Sequence, residues 1–125
     1  MNAQIKEKIK KCFKKYPEIK LGYYFGSQVE GRVKPLSDHD FAIYLDDSID
    51  QSRKFEVVGG VIASLMQAVV SNKIDLVVLN DVNNIPLKFK IHSEGVLIYE
   101  KEPYRVTIGS RYMSAYHDFK VFNSR

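Results

Sequence analysis

The chain has 125 residues, of which 45% are apolar, and its formal net charge is +4 at pH 7. This length suits one compact domain, which we expect to span residues 1–125. The composition excludes a disordered chain, and the modest charge argues against a nucleic-acid partner. No apolar run approaches the ~20 residues of a membrane span, and a single cysteine, Cys12, excludes an internal disulfide. We therefore expect a cytoplasmic protein with no membrane contact.

Apolar residues recur with helical or strand periodicity in eight segments. In chain order they predict a helix ending before Pro17, strands over 19–25 and 38–45, a helix over 55–69, a strand over 74–79, a helix over 86–92, a strand over 96–99 and a helix over 104–119. Gly31 and Pro35 predict a loop with a short helical turn over 28–37. This order favours an α+β fold, an α/β sandwich in which helices pack on a small mixed sheet.

Three helical features bear on packing. Cys12 shares the apolar side of the first helix, so we interpret it as a core residue rather than a nucleophile. Gly59 and Gly60 weaken the long helix by about 1 kcal/mol each relative to alanine, and we expect them to allow a close approach to the sheet. The apolar side of the last helix is predicted to consist of Val106, Ile108, Met113 and Tyr116.

Two acids follow a Gly-Ser turn at a fixed distance. Gly26-Ser27 is followed, after ten residues, by Asp38-His39-Asp40. Carboxylates at positions i and i+2 of a strand point to one face, where their oxygens are suitable ligands for Mg²⁺. His39 is expected to point to the opposite face. The alternative is a turn cap beside a solvated acid, but two acids in register after such a turn favour metal binding.

A third acid, Asp75, lies in an otherwise apolar run between Ile74 and Leu76. Burying an unpaired carboxylate costs several kcal/mol, so Asp75 needs a partner. A metal shared with Asp38 and Asp40 would supply one if the two strands are neighbours. Asp75 could also act as a general base on an incoming hydroxyl. The alternative is an ion pair with Lys73 or another cation.

The Gly26-Ser27 turn can present backbone N–H groups and a hydroxyl to the phosphates of a nucleotide. Arg32 and Lys34 follow in the same loop and can add positive charge, although surface solubility explains them nearly as well. A phosphate-binding turn beside three acids indicates metal-assisted nucleotidyl transfer. No metal-ligand spacing links the histidines, which we interpret as structural or surface residues: His39, His92 and His117.

The run from Phe25 to Ala42 resembles the signature of the minimal nucleotidyltransferase (MNT) family, small members of the DNA polymerase beta-like nucleotidyltransferase superfamily. That signature is Gly-Ser, ten residues, Asp-x-Asp and a third Asp on a later strand. Residues 84–86, 91–100 and 105–119 also resemble the C-terminal half of the family. The chain differs after Gly-Ser, where the family often has Arg-Ala-Arg-Gly and this sequence has Gln28-Val29-Glu30-Gly31-Arg32.

The resemblance implies a nucleotidyltransferase fold and an acidic triad of Asp38, Asp40 and Asp75 that binds one or two Mg²⁺ ions. It implies that Ser27 contacts the phosphates of ATP, with Gly26 and Arg32 as further nucleotide-binding candidates. It also implies an antitoxin that transfers AMP from ATP to a hydroxyl, a tyrosine, of a HEPN ribonuclease toxin.

Two other functions stay open on the sequence. The chain could mask its toxin without catalysis, using an aromatic docking face formed by Tyr104, Tyr112, Tyr116 and Phe119. It could instead modify a small molecule, but no part of the chain looks like the added substrate domain that such enzymes usually carry. The sequence also leaves homo-oligomer formation open.

Overall fold

The computed structural model describes residues 2–25 and 39–124, so Asp38 and the turn predicted over 28–37 lie outside the described residues. The elements in chain order are α1 Ala3–Lys14, β1 Ile19–Phe25, β2 His39–Leu45, α2 Gln51–Val69, β3 Ile74–Val78, a 3₁₀ turn Leu79–Asp81, α3 Ile85–Glu94, β4 Val96–Glu100 and α4 Tyr104–Asn123. All eight predicted segments are present. The largest differences are at the start of α2 and the end of α4, where each helix extends about one turn beyond its prediction.

The four strands form one mixed sheet with the order β3-β2-β1-β4. β1 pairs antiparallel with both β2 and β4, whereas β2 and β3 are parallel. The predicted α+β class is therefore confirmed. None of the helices in the described ranges is long and apolar enough to cross a membrane.

Helices cover both faces of the sheet, and each face has its own core. Phe41 and Ile43 of β2 pack with residues of α1 and α2 on one face, and Cys12 is buried there as predicted. Ala42 and Tyr44 of β2 pack with residues of α3 and α4 on the other face. The alternation along β2 therefore assigns every β2 side chain to one of the two layers.

Side-chain caps explain where three of the helices begin. The Asn2 side chain accepts a hydrogen bond from the Ile5 N–H, the Asp50 side chain accepts one from Arg53, and the Asn84 side chain accepts one from Leu87. Each cap satisfies a backbone donor that the first helical turn leaves unpaired. Asp50 belongs to the polar connection after β2, so α2 begins a turn earlier than its apolar pattern indicates.

The predicted apolar side of α4 is wrong at two of its four positions. Val106 is 73% exposed and Met113 is 62% exposed, whereas the buried residues of α4 are Ile108, Gly109 and Tyr112. Burial of Tyr112 also removes it from the aromatic docking face that the masking hypothesis would use. The prediction failed because apolar residues occur on both sides of α4, so its periodicity does not identify the buried side.

The role predicted for Gly59 and Gly60 is also wrong. A Cβ atom on Gly60 would overlap the hydroxyl of Tyr16, and a Cβ on Gly59 would meet no atom within 4 Å. Tyr16 lies just after α1, so the close approach is between α2 and the end of the first helix rather than between α2 and the sheet. Of the two glycines, only Gly60 is needed for this close approach.

Val70, which follows α2, adopts a strained left-handed backbone conformation with φ 53° and is 89% exposed. This conformation costs an L-residue roughly 1–2 kcal/mol, and β-branching makes it worse. We expect Val70→Gly to raise the free energy of unfolding by about 1 kcal/mol, because glycine relieves the strain and little buried contact is lost. Urea denaturation measures the change. Val70→Ala is the control, and its free energy of unfolding should rise less than that of Val70→Gly. A less stable Val70→Gly protein would contradict the assignment of strain.

His92 connects α3 to the sheet and to α4. A 2.7 Å hydrogen bond joins His92 Nδ1 and the Tyr23 hydroxyl, and the Tyr112 ring meets the imidazole edge-on at a centroid distance of 6.1 Å. Burial lowers the pKa of His92, and the positive charge of Arg105 lowers it further. The folded protein therefore binds a proton at His92 more weakly than the unfolded chain does.

This difference predicts a pH dependence of stability. The contribution of neutral His92 is complete above the unfolded-state pKa of about 6.5 and is lost as the pH falls below it. Denaturant unfolding between about pH 7.5 and 5 should show a steeper loss of stability for the wild type than for His92→Asn. His117→Asn, at an exposed position, should keep the wild-type slope. Equal slopes for the wild type and His92→Asn would contradict this account.

Candidate functional site

The described part of the candidate site lies where β1 ends and β2 begins. Because these strands are antiparallel, Phe25 at the end of β1 pairs with Asp40 near the start of β2. Phe25 is 2% exposed and belongs to the core beneath α3 and α4. Asp40 therefore has a buried aromatic residue beside it on the β1 side.

Asp40 and Asp75 occupy paired positions on neighbouring strands. The Cα of Asp40 pairs with the Cα of Asp75 in the parallel register of β2 and β3. Both residues alternate with side chains that pack against α1 and α2, so they share the opposite face with Ala42 and Val77. The condition set for a shared metal, that the strand of Asp75 lies beside the strand of Asp40, is met.

The chemistry of this pair suits a cation. Adjacent strands are about 4.8 Å apart, so side chains at paired positions on one face of the sheet are neighbours. Both residues are half-buried, and Asp40 Oδ1 is shielded from solvent. Two such carboxylates match the oxygen ligands that Mg²⁺ takes. The described ranges contain no complete group of three His, Cys, Asp or Glu residues suited to a metal, and the third predicted carboxylate, Asp38, lies outside them.

An aromatic group lies on the other face of the sheet, behind the acids. The His39 ring stacks on Phe41 with centroids 6.4 Å apart, and the Tyr24 ring meets Phe41 edge-on at 5.3 Å. His39 therefore points away from the face of Asp40, as the alternation predicted. Burial raises the pKa of Tyr24, and the negative charge of Asp40 raises it further.

Sequence reasoning gave Tyr24 no role. Its hydroxyl lies 3.4 Å from His39 Nδ1, so Tyr24 contacts the residue between the two predicted strand acids as well as Phe41. The only signal in the sequence is the aromatic run of β1, which also fits an ordinary buried strand. These rings form a packed support beneath the strand segment that carries Asp40.

Four predicted site residues lie outside the described residues: Gly26, Ser27, Arg32 and Asp38. Their contribution to nucleotide or metal binding stays a prediction. The described residues supply two of the three predicted acids, Asp40 and Asp75, and place them on adjacent strands of one face.

A second group of acids lies at the opposite end of β2, around a depression of about 270 Å³. The Tyr44 hydroxyl donates a 2.6 Å hydrogen bond to Asp47, and Lys54 forms a 2.6 Å ion pair with Asp81. Asn80 also donates a hydrogen bond to Asp47 at 3.2 Å. These hydrogen bonds and this ion pair already satisfy the carboxylates of Asp47 and Asp81. We therefore interpret the group as a structural network rather than a second metal site.

Comparison with known proteins identifies the class. Residues 7–104 match the model of the family described as polymerase beta, nucleotidyltransferase. The chain therefore belongs to the polymerase beta nucleotidyltransferase family, and its substrate is a nucleotide. It is also similar to the protein adenylyltransferase MntA of Aphanizomenon flos-aquae (strain 2012/KM1/D3), with 28% identity over 105 residues that cover 79% of this chain and 69% of that protein.

Solved structures share the fold. A chain from a crystal structure of a toxin–antitoxin with AMP-PNP superimposes with a TM-score of 0.68 at 23% identity, covering 95% of this chain and 92% of the other. A chain from the complex of tri-AMPylated Shewanella oneidensis HEPN toxin with MNT antitoxin gives a TM-score of 0.70 at 22% identity, covering 99% and 93%. At these identities the likeness concerns the fold.

Proposed function

We propose that this protein is a Mg²⁺-dependent adenylyltransferase that transfers AMP from ATP to a tyrosine hydroxyl of a HEPN-type toxin and thereby acts as its antitoxin. The observation that carries the proposal is the pairing of Asp40 with Asp75 on one face of the sheet. Membership of the nucleotidyltransferase family supports the reaction class. The related MntA protein is an adenylyltransferase by name, and a structural neighbour is bound to an AMPylated HEPN toxin. These relatives support the choice of acceptor.

We assign roles to the residues as follows. Asp38, Asp40 and Asp75 would hold the metal, which when bound supplies positive charge against the phosphates of ATP. Gly26, Ser27 and Arg32 would bind those phosphates and orient the α-phosphorus toward the acceptor. Phe25, which pairs with Asp40, and Ala42, two residues further along β2, are both buried and form the protein side of the site next to Asp40.

The reaction forms one bond and breaks another. The acceptor oxygen bonds to the α-phosphorus of ATP, and the bond from that phosphorus to the bridging oxygen breaks, which releases pyrophosphate. The proton of the acceptor hydroxyl passes to the carboxylate of Asp75. A tyrosine acceptor needs this help because its hydroxyl, with an ordinary pKa of about 10, is mostly protonated at neutral pH.

The test is a transfer assay with ATP labelled at either the α- or the γ-phosphate, Mg²⁺, and a HEPN protein encoded beside this one. We expect the label of the α-phosphate, but not that of the γ-phosphate, to appear on the HEPN protein. Removing the metal with EDTA should lower the rate by at least roughly 10³-fold, because several kcal/mol of charge stabilisation are lost.

Two results would contradict the proposal. Transfer of the γ-label would indicate a kinase, and no label on the HEPN protein would exclude it as the acceptor. Labelling of an isolated small molecule would favour the small-molecule alternative. Boiled enzyme and a HEPN protein whose tyrosines are replaced by phenylalanine serve as controls.

A further inference from the structure

Strand β3 carries Asp75 and lies at one edge of the sheet. In the order β3-β2-β1-β4, its partner among the described residues is β2 alone. All five residues of β3 are half-buried, and Asp75 is the one charged residue between Ile74 and Val78. An edge strand with no proline and little charge can pair with an extended segment of another chain.

The register of the ladder shows which main-chain groups of β3 point away from the sheet. The His39 N–H donates a 3.3 Å hydrogen bond to the Lys73 carbonyl, and His39 pairs with Ile74. In a parallel ladder this arrangement directs the main-chain groups of residues 73, 75 and 77 toward β2, and those of residues 74, 76 and 78 toward the open edge. The N–H groups of Ile74, Leu76 and Val78 have no hydrogen-bond acceptor in the described ranges. The open edge therefore presents main-chain donors on both sides of Asp75.

We propose that an extended segment of the acceptor protein pairs with this edge as an antiparallel strand and places the residue to be modified opposite Asp75. This inference rests on the proposed function, because it states how the acceptor reaches the acids. Opposite residues of paired strands point to the same face, so the acceptor side chain lies on the face that Asp75 shares with Asp40. Because the main-chain groups of Asp75 point to β2, the new pair is of the non-hydrogen-bonded type, with Cα atoms about 4.5 Å apart.

The position of the acids distinguishes this edge from the edge formed by β4. A strand added beyond β4 would lie three strand spacings, about 14 Å, from the strand of Asp40. A strand added beyond β3 lies one spacing from Asp75. It would also cover Ile74 and Leu76, whose partly buried side chains pack against the core beneath α1 and α2. The edge formed by β3 is therefore the one that brings an acceptor hydroxyl to the acids.

Proline at an outward-facing position tests this docking mode. Leu76→Pro removes an N–H group that points to the open edge, keeps the hydrogen bonds to β2, and places a ring in the path of an added strand. In the AMP-transfer assay we expect the KM for the HEPN protein to rise by at least roughly tenfold, with the kcat within about threefold of the wild-type value. Leu76→Ala shortens the side chain but keeps the N–H group, and its KM should stay within about twofold of the wild type. Glu100→Pro makes the same change at the other edge of the sheet, in β4, and should also leave the KM unchanged.

Hydrogen exchange tests the docking without relying on transfer. In the free protein the amide protons of Ile74, Leu76 and Val78 should exchange faster than those of Asp75 and Val77, which point to β2. In the complex with the HEPN protein, formed without ATP, exchange at the three outward-facing amides should slow by at least roughly tenfold. If Leu76→Pro fails to fold by circular dichroism, Val78→Pro provides the same kinetic measurement.

Two results would overturn the proposal. Binding of the HEPN protein could leave exchange at the outward-facing amides unchanged, or the proline variant could keep the wild-type KM, even with a lower kcat. Failure of the proposed function would look different. The wild type would then leave the HEPN protein unlabelled, while slowed exchange at these amides would still establish docking at the edge of β3.

Discussion

Asp40→Asn is expected to lower the kcat for AMP transfer by roughly 10³-fold, which corresponds to about 4 kcal/mol of lost transition-state stabilisation. The amide keeps the shape of the carboxylate but removes a negative charge that would hold the metal. Asp75→Asn is expected to have an effect of similar size, because its carboxylate is the proposed proton acceptor as well as a metal ligand. The two losses should not add, since both carboxylates serve one site.

Stability measurements separate a catalytic defect from misfolding. Without metal, Asp40→Asn should give the same folded circular dichroism spectrum as the wild type, because the amide has nearly the size and shape of the carboxylate. Added Mg²⁺ should raise the melting temperature of the wild type more than that of the variant. Asp81→Asn is the matched control, since it makes the same change in a surface ion pair with Lys54 at the opposite end of the sheet. Full activity of Asp40→Asn would remove this residue from the site.

Gly22→Ala is expected to lower the free energy of unfolding by about 3 kcal/mol and the melting temperature by roughly 10 °C. Gly22 lies in β1, and a Cβ there would come within 2.5–2.9 Å of three carbons of the Phe13 ring. That ring is fully buried and packs edge-on against Phe41 at a centroid distance of 6.3 Å, so moving it would disturb this contact in the core. Thermal and urea denaturation measure the loss.

The control for this prediction uses the same substitution at another glycine. Gly59→Ala adds a Cβ that meets no atom within 4 Å and should stabilise α2 by about 0.5–1 kcal/mol. Combining Gly22→Ala with Phe13→Leu should recover part of the loss, because the smaller side chain leaves space for the new methyl group. A Gly22→Ala protein as stable as the wild type would show that α1 can shift away from the sheet.

Most helices and strands could be predicted from the local spacing of apolar residues. The errors arose where apolar residues lie on more than one side of a helix, because the spacing then does not identify the buried side. The alternation in β2 and the helical spacing in α1 identified both elements and their buried residues, Cys12 among them. In α4 the apolar residues surround the helix, so Ile108 and Tyr112 could not be distinguished as the buried pair from Val106 and Met113. The left-handed conformation of Val70 has no sequence signal, because valine disfavours it.

The acids of the candidate site could be predicted from the sequence, whereas the strand pairing and the aromatic residues around them could not. An acid in the middle of an apolar strand, as at Asp75, is costly without a partner, and this cost predicted either a metal shared with Asp40 or an ion pair with a cation such as Lys73. The register that pairs them depends on which strands are neighbours, which no local pattern specifies. The aromatic support formed by Tyr24, His39 and Phe41 depends on contacts between β1 and β2 for the same reason. The roles of Asp38 and of the Gly26-Ser27 turn stay predictions, as does the assignment of residues 1–125 to a single domain.

On the proposed function, Asp38, Asp40 and Asp75 catalyse the transfer of AMP to the toxin. The intact mass of the HEPN protein after co-expression with the wild type or with the Asp40→Asn/Asp75→Asn double variant tests this, alongside cell survival. We expect AMP on a tyrosine and surviving cells with the wild type, and an unmodified, toxic HEPN protein with the variant. An unmodified HEPN protein that the double variant neutralises as well as the wild type does would contradict the account and establish inhibition by binding alone.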